Sequence, residues 1–126
     1  MINSTDISLA EYTAGRYRHA VQFAQYALAR DTEDAQAWLV LGRSLMKCYE
    51  FIGAIDAFEN ASLLQPLANE NRISMARAYG AVGRKSLSRD LLMCVATSQS
   101  VTVSELLQIA VALEAIDEPH FSMEAC

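Results

Sequence analysis

Only two prolines and five glycines occur in 126 residues. A fold of short strands and tight turns needs many more, because turns draw on the fixed φ of proline and the free φ of glycine. Basic residues are also scarce: ten Lys and Arg face fifteen Asp and Glu, a net charge of -5. Nucleic acid is therefore not expected as a partner, since neutralising phosphates needs a basic stripe. Long apolar runs are missing as well. The stretch Ala37 to Leu41 is far short of the roughly 20 residues that span a bilayer, so no membrane partner is expected. Met1 to Ala10 has no Lys or Arg and contains Asp6, which fits neither the basic start nor the apolar stretch of a secretory signal. The cysteines are Cys48, Cys94 and Cys126. Their odd number and wide spacing do not suit a disulfide framework, and a reducing cytoplasm is the expected compartment.

What remains is apolar and helical in pattern. Apolar residues make up 52% and charged residues 20%, enough to bury a core in one all-α domain. Written in rows of 34 residues, the chain aligns with itself: Tyr17, Phe51 and Lys85 fall in one column, and Ala20, Ala54 and Ser88 in another. Ala27, Ala61 and Val95 share a third, and Gly15, Tyr49 and Gly83 a fourth. Such self-similarity marks a repeat architecture.

Each row reads as two helices. Trp38, Leu41, Leu45 and Cys48 lie on one face of a helix from about Ala35 to Cys48. Phe51, Ala54, Ile55, Phe58 and Ala61 repeat the pattern on a second helix that ends near Gln65, where Pro66 stops it. Gly42, Ala54 and Ala61 sit where two helices would approach closely. Gly15 and Gly83 break the helices of the first and third rows. Thr102 and Glu105 form a capping-box pattern, opening a helix that carries Leu106, Ile109, Ala110 and Leu113 to about Ile116.

The second row resembles a tetratricopeptide (TPR) repeat: Trp38-x2-Leu41-Gly42-x2-Leu45, then Ala54-x3-Phe58 and Pro66, with Leu45 in place of the usual Tyr. The first row keeps Gly15, Tyr17, Ala20 and Ala27, with Ser4 where the family has Trp and Ala24 where it has Phe. The third keeps Ala76, Tyr79 and Gly83, with Arg72, Leu92 and Ser100 elsewhere in the pattern. The resemblance covers about four fifths of the chain. It implies an all-α fold, a right-handed superhelical stack of antiparallel helix pairs. The expected domain is 1–116, with repeats at about 1–34, 35–68 and 69–102, a capping helix at about 103–116 and a tail at 117–126.

Resemblance to the family further implies a concave groove that binds a peptide or helix of another protein; the residues themselves offer no constellation for catalysis, a cofactor or a metal. Projected onto this chain, the groove takes Leu9, Tyr12 and Thr13 from the first row. The second row contributes Gln36, Leu39, Val40, Arg43, Met46 and Lys47, the third Ile73, Ser74 and Arg77, and the last helix Leu107, Gln108 and Val111. Leu39, Val40 and Met46 give the third helix a second apolar stripe where a surface helix is normally polar. With Arg43, Lys47 and Arg77 beside it, that stripe suits an amphipathic, acidic segment. A homodimer or missing-repeat interface, or ordinary core, are the alternative readings. Some TPR proteins clamp a terminal carboxylate with Lys, Asn and Arg. The corresponding places here hold Thr5, Leu9, Val40, Glu70 and Ser74, so no such clamp is expected.

Charge is unevenly spread. Asn69 to Thr102 has five basic and two acidic residues, whereas Val103 to Cys126 has five acidic residues and no Lys or Arg. Either the last helix neutralises the row it packs on, or Arg72, Arg77, Arg84, Lys85 and Arg89 dock an acidic partner. Gly80 to Ser86 does not make a phosphate loop, because two residues separate its glycines and Arg84 splits Gly83 from Lys85. His19 reads as a surface side chain. His120, Met123 and Cys126 fall short of the four ligands zinc takes at recognisable spacing. Cys48 and Cys94 read as small hydrophobes, and Glu11, Glu50 and Glu59 as solvated charges. The expected role is a non-catalytic adaptor or assembly factor. The alternatives are a small TPR-type secretion chaperone sequestering a hydrophobic client, or a piece of a larger solenoid.

Overall fold

A computed structural model describes residues 3–117; the expected tail, with His120, Met123 and Cys126, lies outside the described residues apart from Asp117. Among the described residues seven helices follow one another: α1 (Ser4–Thr13), α2 (Tyr17–Arg30), α3 (Ala35–Lys47), α4 (Phe51–Leu64), α5 (Asn69–Ala81), α6 (Lys85–Ala96) and α7 (Val103–Asp117). The described residues contain no strand. Each helix packs on its successor, and α1, α3 and α5 also touch the next odd-numbered helix. This is the pattern of stacked helix pairs, a TPR-like α-solenoid.

Local chemistry explains the ends of the helices. Asn3 and Asp6 cap α1 reciprocally, and Asp34 accepts from the Ala37 amide at the start of α3. At α7 the capping box forms as the sequence indicates. The Glu105 amide donates to Thr102 Oγ1 at 3.1 Å, and the Thr102 amide donates to Glu105 Oε1 at 3.0 Å. The bond from the Thr102 amide holds the Glu105 carboxyl below its ordinary value. The turns within the pairs repeat too. Gly15 and Gly83 adopt φ of 86° and 87°, and Tyr49, at the same place in the second row, adopts φ of 60°.

Tyr49 has a Cβ in the left-handed region, which costs an L-residue roughly 1–2 kcal/mol. It is also 80% exposed, and its ring meets Phe51 only edge-on at 6.2 Å. Tyr49→Gly is therefore expected to stabilise the protein by about 0.5–1 kcal/mol, with part of the relief lost to the freer unfolded chain. Urea denaturation of the two proteins checks this.

The core runs along the stack. One cluster gathers Val21, Leu28, Leu39, Leu41, Leu45 and Phe58 around the first two pairs. A second gathers Ile73, Leu92, Val95, Ile109 and Ile116 around α5, α6 and α7. Between them lie Ile55, Ala78 and Tyr79. The Tyr79 hydroxyl donates to Glu59 Oε2 at 2.7 Å, tying α5 to α4. Burial, reinforced by this bond, pushes the phenol up to about 12 from 10.0. A raised folded value means the stabilisation is complete below pH 10 and is lost as pH rises through about 12. Wild type should therefore lose stability between those two values faster than Tyr79→Phe, as followed by denaturation at stepped alkaline pH.

Candidate functional site

The odd-numbered helices α1, α3, α5 and α7 line one side of the stack, and the structure sorts the expected groove residues into three groups. Leu39, Val40 and Ile73 are not on an open wall. Val40 is 0% and Ile73 1% exposed, and Leu39 sits in the first core cluster. The cause is the number of neighbours. α3 touches α1, α2, α4 and α5, so its second apolar stripe is covered by adjacent members of the stack. These three residues are core, a correction to the groove drawn from sequence.

The second group braces the stack. Arg43 donates through Nε to Asn71 Oδ1 at 3.0 Å and through Nη2 to Glu70 Oε1 at 2.7 Å. It joins α3 to α5 and is not a free cation awaiting a partner. Met46 is half-buried against two core clusters. Leu9, Tyr12 and Ser74 are also partly buried, and the Tyr12 ring lies against Tyr17 at 5.6 Å.

The third group is open: Thr13, Gln36, Lys47, Arg77, Leu107, Gln108 and Val111 are exposed. Four of these, Arg77, Leu107, Gln108 and Val111, meet in a cleft of about 850 Å³ between α5, the α5–α6 turn and α7. Gly80 and Ala81 of α5, with Val82, Gly83, Lys85 and Ser88, line it together with Ala112, Ala115 and Ile116 of α7. Small residues on both helices leave the space. Leu107 and Val111 stay 65% and 67% exposed, large apolar side chains facing it without a partner. Thr13, Gln36 and Lys47 lie apart from the cleft.

The groove drawn from the sequence lacked Gly80, Ala81, Lys85 and Ala115, although the basic surface read beside it included Lys85. A signal for three of them was available: Gly80 and Ala81 stand 34 residues after Met46 and Lys47, and Ala115 another 34 after Ala81. Their small side chains simply carry no hydrophobic weight.

The electrostatics divide the basic surface. Arg89 pairs with Asp117 Oδ1 at 2.6 Å, so α7 does neutralise part of the row it packs on. Arg72 donates to the Cys94 sulfur at 2.9 Å, and Cys94 is exposed rather than packed on an apolar face. Arg77, Arg84 and Lys85 form no ion pair among the described residues. The cleft thus combines an apolar lining with two uncommitted cations, Arg77 and Lys85. An apolar segment bearing a carboxylate is the chemistry it complements.

At the α1–α2 turn, Arg16, Tyr17, Arg18, His19 and Cys48 border a shallower hollow of about 350 Å³. There Glu11 accepts from Arg16 at 2.7 Å, which holds its carboxyl below the ordinary value and the guanidinium above its own. His19 is exposed and lies 3.3 Å from the same carboxylate. Among the described residues no three His, Cys, Asp or Glu side chains are grouped to hold a metal ion. No helix among them is long and apolar enough to cross a membrane.

These features define a helical-repeat, TPR-like architecture with an apolar cleft on its odd-helix side. No protein-family model matches the chain, and no curated protein matches it. Among solved structures, the chain is similar to the Yersinia enterocolitica type III secretion chaperone SycD in complex with a peptide of the translocator YopD. The two share 18% identity at a TM-score of 0.75, over 90% of this chain and 88% of that one. That likeness is one of fold.

Proposed function

We propose that this chain is a non-catalytic binding module that holds a segment of another protein along the side formed by α1, α3, α5 and α7. The cleft between α5 and α7 is its principal pocket. The observation that carries this reading is the cleft's composition: about 850 Å³ lined mostly by apolar and small residues, together with Arg77 and Lys85, which form no ion pair among the described residues. The preferred occupant is an apolar peptide or amphipathic helix with an acidic residue, and the module acts as an adaptor or assembly factor in the cytoplasm. Its working unit is residues 1–116, three helix pairs and a closing helix.

The likeness to SycD supports a second, narrower reading as a secretion-type chaperone that shields an apolar client segment. It extends over nearly all of both chains, and the SycD structure holds a peptide. Both readings place the client in the same cleft.

The test begins with capture of partners by the tagged chain, followed by a peptide array spanning each captured protein. Peptides that bind should pair apolar residues with Asp or Glu. Val111→Glu and Arg77→Glu should each weaken the best peptide at least tenfold, and added salt should weaken it further. Undiminished binding in both variants would place the site elsewhere.

A further inference from the structure

Among the described residues, α1, α3 and α5 are each followed by a helix that covers them, and α7 is not. The repeat shows what the cover touches. Position 8 of the first row presses on α2, where Ser8 Oγ donates to the Ala20 carbonyl at 2.6 Å. One row on, a Cβ at Gly42 would lie 3.0 Å from the Phe58 ring of α4. Another row on, the Ala76 carbonyl accepts from Ser88 of α6 at 2.6 Å. The next position in this series is Ala110 on α7, and Ala110 is exposed.

The surroundings of Ala110 match that register. Leu106 and Val103, one and two turns earlier on the same face, are 41% and 75% exposed. A helix that closes a stacked array normally turns a polar face outward; α7 is the last helix among the described residues, and this face of it is apolar. The helix carries no Lys or Arg. Of its carboxylates Asp117 is paired with Arg89 and Glu105 caps Thr102, whereas Glu114, one turn after Ala110 on the same face, is exposed and pairs with no cation among the described residues.

We infer that this face of α7 receives an amphipathic helix of another protein, with lysines or arginines flanking its apolar stripe, seated where a covering helix completes each earlier pair. The register sets the occupant's shape and Glu114 its charge. Two copies joined α7 to α7 would set Glu114 against its own copy on an apolar face, which is unfavourable. This site is separate from the cleft, which faces Leu107 and Val111 and offers cations.

The test uses the full chain and a fluorescein-labelled synthetic 14-residue amphipathic helix (~14 residues matches the length of α4) with a central Phe and flanking lysines. A twin with flanking glutamates is the comparison, and anisotropy is the readout. The lysine form should bind at least tenfold more tightly than the glutamate form. Ala110→Arg and Leu106→Arg should each lower its affinity at least tenfold while melting like wild type. Val111→Glu and Arg77→Glu, which test the cleft, should leave it unchanged, so failure of either reading is seen separately. Equal binding of the two peptides, or binding indifferent to both arginine variants, overturns the inference. So does a concentration-dependent dimer that Ala110→Arg dissolves, which assigns the face to a second copy. A tenfold gain in affinity on Phe121→Asp also overturns it, assigning the face to residues 118–126 of the chain itself.

Discussion

Replacing Phe58 with alanine is expected to destabilise the protein by about 3–5 kcal/mol, the range for removing a fully buried aromatic side chain. Phe58 is among the largest side chains with no exposure, and it lies in the cluster joining the first two pairs. Its ring fills the space left by the missing side chain of Gly42, so a Cβ placed there would stand 3.0 Å from two ring atoms. Gly42→Ala is therefore harmful too, by about 1–3 kcal/mol, even though alanine is the better helix former. The pair is coupled. In Phe58→Leu the smaller side chain makes room, and Gly42→Ala should then cost much less than it does in wild type. Urea denaturation of the single and double variants gives the coupling directly. Additive effects would mean that Gly42 is not shaped to its neighbour.

A contrast between Leu39 and Leu107 has the next largest expected effect. Both read from sequence as groove residues. Leu39→Ala should cost about 2–5 kcal/mol, because a buried leucine leaves a cavity. Leu107→Ala should stay within about 0.5 kcal/mol, as exposed positions usually do, and should act only on binding. Thermal melts beside binding isotherms separate the two. A stable Leu39→Ala protein with weakened peptide binding would return Leu39 to the groove.

This contrast shows where the sequence is legible. Features governed by near neighbours in the chain read directly: the Thr102–Glu105 cap and the helix breaks at Gly15 and Gly83. The missing side chain of Gly42 likewise marked a close approach between helices, which is to Phe58 of α4. The stacked-pair architecture read directly too, because a 34-residue period repeats the same three-dimensional unit. The groove was harder. Periodicity within α3 reveals two apolar stripes but not how many helices surround it, and four do. The cleft was harder still. It exists because Gly80, Ala81, Ala112 and Ala115 leave space, and absent volume writes no signal in a hydropathy pattern. Arg43 looked like a free charge because its partners, Glu70 and Asn71, lie one row away.

The uneven enclosure of the helices also sets an order in which the protein breathes. Among the described residues α3 is held by four neighbouring helices, whereas α7 rests on α5 and α6. In a stacked array, opening proceeds from weakly held members, so the amide protons of α7 exchange with solvent before those of α3. Yet α7 is one wall of the cleft. A segment lodged there bridges α7 to α5 and slows that opening, so ligand occupancy is converted into order of the outer helix. The affinity measured for the cleft then includes the work of quieting α7, and anything else that steadies α7 tightens the cleft by the same factor.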